Sequence, residues 1–403
     1  MIAKFKPCTL CGVIDAPPSK SMAHRYLIGA ALSKGVSKIT GIDYNEDVLA
    51  TIDCLKTLGA EIVCEGDTVS INSDNFMNPS DDIVLQCSES GSTLRFFIPL
   101  ALCLGKQVVL EGSERLFERP LDVYEELCKA YNFLFKKETD SVTLCGNLIS
   151  GGYKVRGDIS SQFITGLIFA LLYLKEDASI QVMSPFESRS YVKLTISALK
   201  AFGANIELEN ENLILIKKSD MYSLIGKIEG DYSNAAFLDA FNQIGSHVEV
   251  ANLREDSLQG DLVYKEYFEK ISTGTPTLDI SDCPDLGPVL FALAALKYGA
   301  TFTGTERLKV KESDRGQAMH VELQKLGGGL IFGENQIIVP KQELEYKGLK
   351  INGHNDHRIV MAMSLILSKT GGEIEGIEAV KKSYPNFFKD IKRLGADVEF
   401  IDM

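Results

Sequence analysis

Nothing in this 403-residue chain is apolar for long enough to cross a bilayer: the longest helix-like apolar stretch, residues 163–174, falls short of the ~20 residues a span requires. The start, Met1-Ile2-Ala3-Lys4-Phe5-Lys6-Pro7, lacks the apolar segment of a signal peptide, so a cytoplasmic location is expected. Positive charge is also scarce. Lys and Arg number 42 against 55 Asp and Glu, giving a net charge of −13 and a pI near 5.0. That argues against nucleic acid or an anionic membrane as the main partner, because both reward a basic face. Any anionic ligand must then be held by a local cluster of cations.

Paired cysteines and metal-site spacings are missing too. The nine cysteines, at 8, 11, 54, 64, 87, 103, 128, 145 and 283, are odd in number and lie mostly in apolar runs, so they read as reduced core residues. Cys8-x-x-Cys11 and His354-x-x-His357 each offer two donors, but neither has a second pair at metal-site spacing, and no metal is expected. No Pro/Gly/Ser-rich linker marks a domain boundary. The nearest candidates are Val13-Ile14-Asp15-Ala16-Pro17 and Ile225-Gly226-Lys227-Ile228.

What the chain does have is self-similarity, in two interleaved series. In the first, a polar cluster opens an apolar helical run: Ser19-Lys20-Ser21, Ser90-Gly91-Ser92, Ser160-Ser161-Gln162, Tyr232-Ser233-Asn234, Pro284-Asp285-Leu286 and Asn355-Asp356-His357. The intervals between starts are 71, 70, 72, 52 and 71 residues. In the second, a helix end with glycine runs into a strand: Leu58-Gly59-Ala60, Phe202-Gly203-Ala204, Leu326-Gly327-Gly328 and Leu394-Gly395-Ala396. Each glycine sits where a helix C-terminus needs a left-handed residue. Residues 127–135 read as a degraded copy and 267–278 as another. Each unit therefore reads strand, helix, strand, helix, strand, strand. Six such units exceed one core, which predicts an α/β chain of two domains with three units each. The short interval lies in the second half.

A helix N-terminus presents unpaired N–H groups and about half a positive charge, which suits phosphate or carboxylate. Ser19 can also be a simple cap and Lys20 a solvated charge, and Ser90-Gly91-Ser92 alone is an ordinary turn. Repetition shifts the reading toward anion binding. Lys20 falls at the tip of a helix over 22–32 with Arg25 one turn on, Gly91 allows close backbone approach beside Arg95, and Ser160, Ser161 and Gln162 exceed what capping needs. Glu118-Arg119-Pro120 and Lys309-Val310-Lys311-Glu312-Ser313-Asp314-Arg315 place cations around potential helix starts, the second with acids for proton transfer. A solvated charged face remains open for 309–315.

Taken in order, Lys20-Ser21 with Arg25, Gly91-Ser92 with Arg95, Glu118-Arg119-Pro120, Ser160-Ser161-Gln162, Lys311-Glu312-Ser313-Asp314-Arg315 and Asp356-His357-Arg358 resemble the 3-phosphoshikimate 1-carboxyvinyltransferase (EPSP synthase) family of enolpyruvyl transferases, across essentially the whole chain. The resemblance implies a two-domain inside-out α/β barrel, each domain three βαβαββ repeats. Residues 15–226 would form the shikimate-3-phosphate-side domain and 1–14 plus 227–403 the second, with the active site in the cleft between them. It implies transfer of the enolpyruvyl group of phosphoenolpyruvate to the 5-hydroxyl of shikimate 3-phosphate, through a tetrahedral intermediate that loses phosphate, in aromatic amino-acid biosynthesis. No cofactor is implied. A monomer is expected, because the cleft is intramolecular.

By matched position, the resemblance implies that Lys20, Ser21, Arg25, Ser160, Ser161, Gln162, Ser188, Tyr191, Asp285 and Lys311 bind shikimate 3-phosphate. It implies that Lys20, Gly91, Arg119, Gln162, Arg315, Arg358 and Lys382 bind phosphoenolpyruvate. Asp285 would be the base for the hydroxyl and Glu312 the proton donor to the methylene carbon, with Lys20 or Lys311 assisting. Because Asp285 and Glu312 lie on different repeats, only domain closure is expected to bring them together, and ligand anions would favour the closed state.

Two positions depart from the family pattern: Glu89 stands where many relatives have Asn, and Phe96 where some have Pro. The sister UDP-N-acetylglucosamine enolpyruvyl transferase carries a reactive Cys before its own Arg-Pro pair, whereas residues 112–120 here contain none. A non-catalytic anion-binding protein of the same fold would be expected to lose the acids, and Asp285 and Glu312 are both present.

Overall fold

Glycines at the helix ends set the local turns the repeat requires. Gly59, Gly203, Gly327 and Gly395 all adopt left-handed φ, between 87° and 107°, and each passes the chain from a helix toward an edge strand. In the degraded copy at 127–135, Asn132 takes that role with φ 56° between the helix Asp122–Ala130 and the strand Leu134–Lys137. Asn is the residue other than Gly that best tolerates the conformation.

The structure, a computed structural model, describes residues 1–80 and 82–401. Among these, the strands form five four-stranded sheets and one two-stranded sheet. The chain divides into a continuous unit, 18–229, and a split unit, 1–17 with 230–403.

In the continuous unit one topology occurs three times. Ile83–Gln86 lies parallel to Gln107–Glu111, which pairs antiparallel with Ser141–Cys145, and Leu134–Lys137 closes the edge. Gly152–Arg156, Ala178–Met183, Leu213–Lys217 and Asn205–Glu209 repeat the order. In the first sheet the outer strand is Ile225–Lys227, parallel to Val36–Thr40, so the returning chain completes the repeat that begins at Lys20. The helix that links each parallel pair is apolar almost all round, as a helix buried on every side must be. Gly91–Leu102 exposes little besides Ser92, and Ser161–Leu174 is buried from Phe163 to Leu172. These two pack so closely that a Cβ at Gly166 would lie 2.3 Å from the Arg95 carbonyl.

The split unit contains two further full repeats. In the sheet of Thr277–Asp279, Ala300–Thr303, Gln336–Val339 and Ile331–Gly333, the buried helix Gly287–Leu296 connects the first two strands. The sixth sheet borrows its third strand from the chain start, with Ile2–Phe5 between Gly372–Glu375 and Val398–Ile401. The fourth repeat departs from the expected pattern. Cys11–Asp15 pairs parallel with His247–Ala251 and nothing more. Its second helix, Tyr264–Thr273, runs directly into Thr277–Asp279, the first strand of the next repeat. Residues 267–278 are a helix end that runs into a strand, as read from the sequence, but that strand belongs to the next repeat, and the missing hairpin accounts for the 52-residue interval.

The cysteines correct another expectation. Cys54, Cys87, Cys128 and Cys283 are buried, but Cys11 and Cys64 are exposed, because strands of edge character place alternate residues toward water.

Candidate active site

In the continuous unit, three helix N-termini carry the polar clusters read from the sequence. Ser19 caps Lys20–Leu32, Ser90 caps Gly91–Leu102 and Ser160 caps Ser161–Leu174, each side chain accepting a backbone N–H. Lys20 is the first helical residue and its Nζ donates to Asp47 Oδ2 at 2.8 Å. Asp47 stands in the first turn of Glu46–Thr57. Its part was not legible, since two acids after an Asn cap are an ordinary helix start.

Arg25 is buried and spans two helices. Nε donates to Thr195 Oγ1 at 2.8 Å, Nη1 to the Ser21 carbonyl at 2.6 Å and Nη2 to the Tyr191 carbonyl at 3.1 Å. Burial lowers its pKa to about 10, with Tyr191 opposing. Ser188, in the left-handed region at φ 49°, starts the helix Arg189–Ala201 that carries Tyr191 and Thr195. The Arg25 guanidinium thus brings Ser21 and Tyr191 together, with Lys20 beside Ser21 at the helix start.

A second group forms around Gln162. Its Oε1 accepts from Arg95 Nη1 at 2.7 Å and its Nε2 donates to Ser92 Oγ at 2.9 Å, while Arg95 Nη2 reaches the Pro120 carbonyl at 3.1 Å. Arg95 therefore ties its own repeat to the next one. Arg119 ends the short helix Glu114–Glu118 instead of starting one. Its guanidinium lies against Gly91 so tightly that a Cβ there would fall 2.7 Å from Nη1, which is why the position needs glycine.

Behind these groups runs a chain of hydroxyls that sequence reading did not find. His24 Nδ1 meets Thr51 Oγ1 at 2.7 Å, Thr51 meets Thr93 Oγ1 at 2.8 Å, and Thr93 donates to Ser90 Oγ at 2.7 Å. Burial, then Lys20 and Arg25, hold the His24 imidazole well below its usual range, so it is neutral. Phe96 packs edge-on against it with ring centroids 6.2 Å apart.

In the split unit one guanidinium organises the site. Arg315 opens the helix Arg315–Lys325 after the Asp314 cap, and its side chain is 1% exposed. Nη1 donates to Asp285 Oδ1 at 2.6 Å, Nη2 to Glu312 Oε2 at 2.7 Å and Nε to Asp356 Oδ2 at 2.9 Å. Asp285 also receives Lys311 at 3.1 Å and Arg358 at 3.3 Å. Asp285 and Glu312 therefore meet on one arginine inside one unit, and the expectation that only closure could bring them together is overturned. Lys382 joins through the Asn355 carbonyl, 2.7 Å from its Nζ.

Burial pushes the Asp285 carboxyl up, but Arg358, Lys311 and Arg315 outweigh it and hold it well below the usual carboxylate range. Asp356 is lowered in the same way, burial being outweighed by Arg315. Burial lowers Lys311 to about 8 against the pull of Asp285, so this ammonium is poised near neutral pH. Among the described residues, no group of three or more His, Cys, Asp or Glu side chains could hold a metal ion. His354 pairs with Glu322 instead.

Buried cations at helix starts, and acids fixed on an arginine, are what an enzyme joining two anionic substrates requires. The family model for EPSP synthase (3-phosphoshikimate 1-carboxyvinyltransferase) matches residues 5–391. The chain belongs to the EPSP synthase family. The 3-phosphoshikimate 1-carboxyvinyltransferase of Clostridium kluyveri is 40% identical, with 98% of this chain and 97% of that protein covered. The protein of the same name from Clostridioides difficile is 36% identical, with 98% of each covered. The solved structure of EPSP synthase from Acinetobacter baumannii superposes with a TM-score of 0.79 at 22% identity, covering 99% of both chains. That likeness shows that this family member shares the fold. No helix among its described residues is long and apolar enough to cross a membrane.

Proposed function

We propose that this chain transfers the enolpyruvyl group of phosphoenolpyruvate to the 5-hydroxyl of shikimate 3-phosphate, releasing phosphate. The observation that carries the reading is the pairing of Asp285 and Glu312 on Arg315, with Lys311 and Arg358 alongside. Both carboxylates needed for proton transfer are held at fixed positions in a field of cations.

In the proposed sequence, Asp285 takes the proton of the 5-hydroxyl as its oxygen bonds to the central carbon of phosphoenolpyruvate, and Glu312 gives a proton to the methylene carbon. A tetrahedral intermediate with a methyl group results. Loss of a proton from that methyl and departure of phosphate then restore the double bond. Asp285 is a weak base while three cations hold its charge. Incoming substrate anions share those cations, which raises its proton affinity as the reactants arrive. Positioned acids and bases of this kind contribute about 10²–10⁴-fold each.

Substrate holding divides between the units. Lys20, Ser21, Arg25, Ser160, Ser161, Gln162, Ser188 and Tyr191 of the continuous unit, with Asp285 and Lys311, are assigned to shikimate 3-phosphate. Lys20, Gly91, Arg119 and Gln162, with Arg315, Arg358 and Lys382, are assigned to phosphoenolpyruvate. A monomer located in the cytoplasm is part of the proposal.

The test is phosphate release from phosphoenolpyruvate without added metal, once with shikimate 3-phosphate and once with UDP-N-acetylglucosamine. Release only with shikimate 3-phosphate supports the proposal. Release only with the nucleotide sugar, or none with either, rejects it.

A further inference from the structure

Glu322 is a fully buried carboxylate with no part in the roles above. A buried charge is costly unless paired and hydrogen-bonded. Here its bonds are directed largely at one loop. Oε2 accepts the Asn352 N–H at 2.8 Å and Lys325 Nζ at 2.7 Å, and Oε1 meets His354 Nε2 at 2.7 Å. A carboxylate only accepts, so His354 carries its proton on Nε2. Burial alone would push Glu322 up, but the bonds from His354, Lys325 and Asn352 outweigh it and keep it ionised.

The loop so held has an uncommon backbone. His354 and Asn355 are consecutive left-handed residues, with φ 50° and 51°. Side chains other than glycine seldom adopt this region and stay there only when the surroundings insist. The His354 N–H donates to Asn352 Oδ1 at 2.6 Å and the Asp356 N–H to the Gly353 carbonyl at 2.9 Å. This double turn fixes the groups that follow. The Asn355 carbonyl receives Lys382, Asp356 receives Arg315 and Ser313, and Arg358 stands in the first turn of the helix His357–Thr370. The helix Arg315–Lys325 is therefore joined to one loop at two levels: Arg315 to Asp356 at its first residue, and Glu322 to Asn352 and His354 two turns on.

We propose that Glu322 and His354 act as a clamp that positions the phosphoenolpyruvate cations Arg315, Arg358 and Lys382, an inference that rests on the roles assigned under the proposed function. Neither side chain is assigned to a substrate. Without the clamp, residues 353–355 are free to leave the left-handed region, and the supports of all three cations shift together.

The discriminating variant is His354→Gly. Glycine adopts the left-handed region without strain but leaves buried Glu322 one partner short, so the melting temperature falls, and the split between the two KM values is what separates positioning from stability. The clamp predicts that KM for phosphoenolpyruvate rises about tenfold while KM for shikimate 3-phosphate stays within about twofold. Glu322→Gln moves phosphoenolpyruvate KM the same way, and the double variant is no worse than the more affected single, since both break one contact. An unchanged KM for phosphoenolpyruvate in His354→Gly overturns the clamp, as does a parallel rise in both KM values. Wild-type phosphate release measured alongside separates the two claims. Its absence rejects the functional reading and the clamp together, whereas active wild type with an unaffected variant rejects the clamp alone.

Discussion

Arg315 is a single side chain on which three carboxylates depend. Replacing it with an apolar residue of similar length leaves Asp285, Glu312 and Asp356 with reduced compensation. Loss of one partner from a buried ion cluster costs about 3–5 kcal/mol, so Arg315→Met is expected to lower unfolding free energy by that amount in urea. The same cluster sets the acid response. Asp285 and Asp356 titrate below their ordinary range when folded, so they stabilise the protein above about pH 4 and that contribution fades as pH falls further. Arg315→Met should show a shallower acid slope. Lys311 gives a signature at the other end. As its ammonium is lost above about 8, the hold on shikimate 3-phosphate weakens, and kcat/KM should fall on the alkaline side with that midpoint. Lys311→Arg, which stays charged, should move the midpoint upward; an unmoved limb would assign it to another group. Asp285→Asn should still bind shikimate 3-phosphate by calorimetry while turnover drops about 10²–10⁴-fold, and near-normal turnover would remove it as the base.

The buried helices and their starts were the most legible elements, because one polar cluster, one apolar run and one glycine recur at nearly constant spacing. The Ser19, Ser90 and Ser160 caps and the left-handed Gly59, Gly203, Gly327 and Gly395 follow from that pattern. What binds one helix to the next was not legible. The His24–Thr51–Thr93–Ser90 chain joins residues up to 69 positions apart whose types are unremarkable in any local window. Glu322 and Asp47 escaped for the same reason, since an acid on a helix reads as solvated until its neighbours are known. Gly91 offers the test at this level. A methyl group there must displace the Arg119 guanidinium, so Gly91→Ala should raise KM for phosphoenolpyruvate about tenfold with the fold intact by circular dichroism. An unchanged KM would separate Arg119 from that substrate.

Across the whole chain, the sequence intervals foretold a shortened repeat in the second half, yet not which strands were lost. The missing piece is the hairpin of the fourth repeat, and the sheet it would have extended consists of Cys11–Asp15 and His247–Ala251 alone. The borrowing of Ile2–Phe5 by the last sheet and of Ile225–Lys227 by the first was also hidden, because strand pairing across hundreds of residues leaves no local mark. The division of cations between the two units has a consequence for binding. Arg358→Gln should weaken phosphoenolpyruvate binding and leave shikimate 3-phosphate affinity in the binary complex nearly unchanged, which calorimetry on each ligand can read. The central claim is addition followed by elimination, and it is tested most directly by running the reaction in D₂O and analysing the product by mass spectrometry. The account predicts a product heavier than shikimate 3-phosphate by one enolpyruvyl group, with deuterium in its methylene carbon, because the proton from Glu312 enters a freely rotating methyl before one hydrogen leaves. A product without deuterium in that position, or no enolpyruvyl product at all, would contradict it.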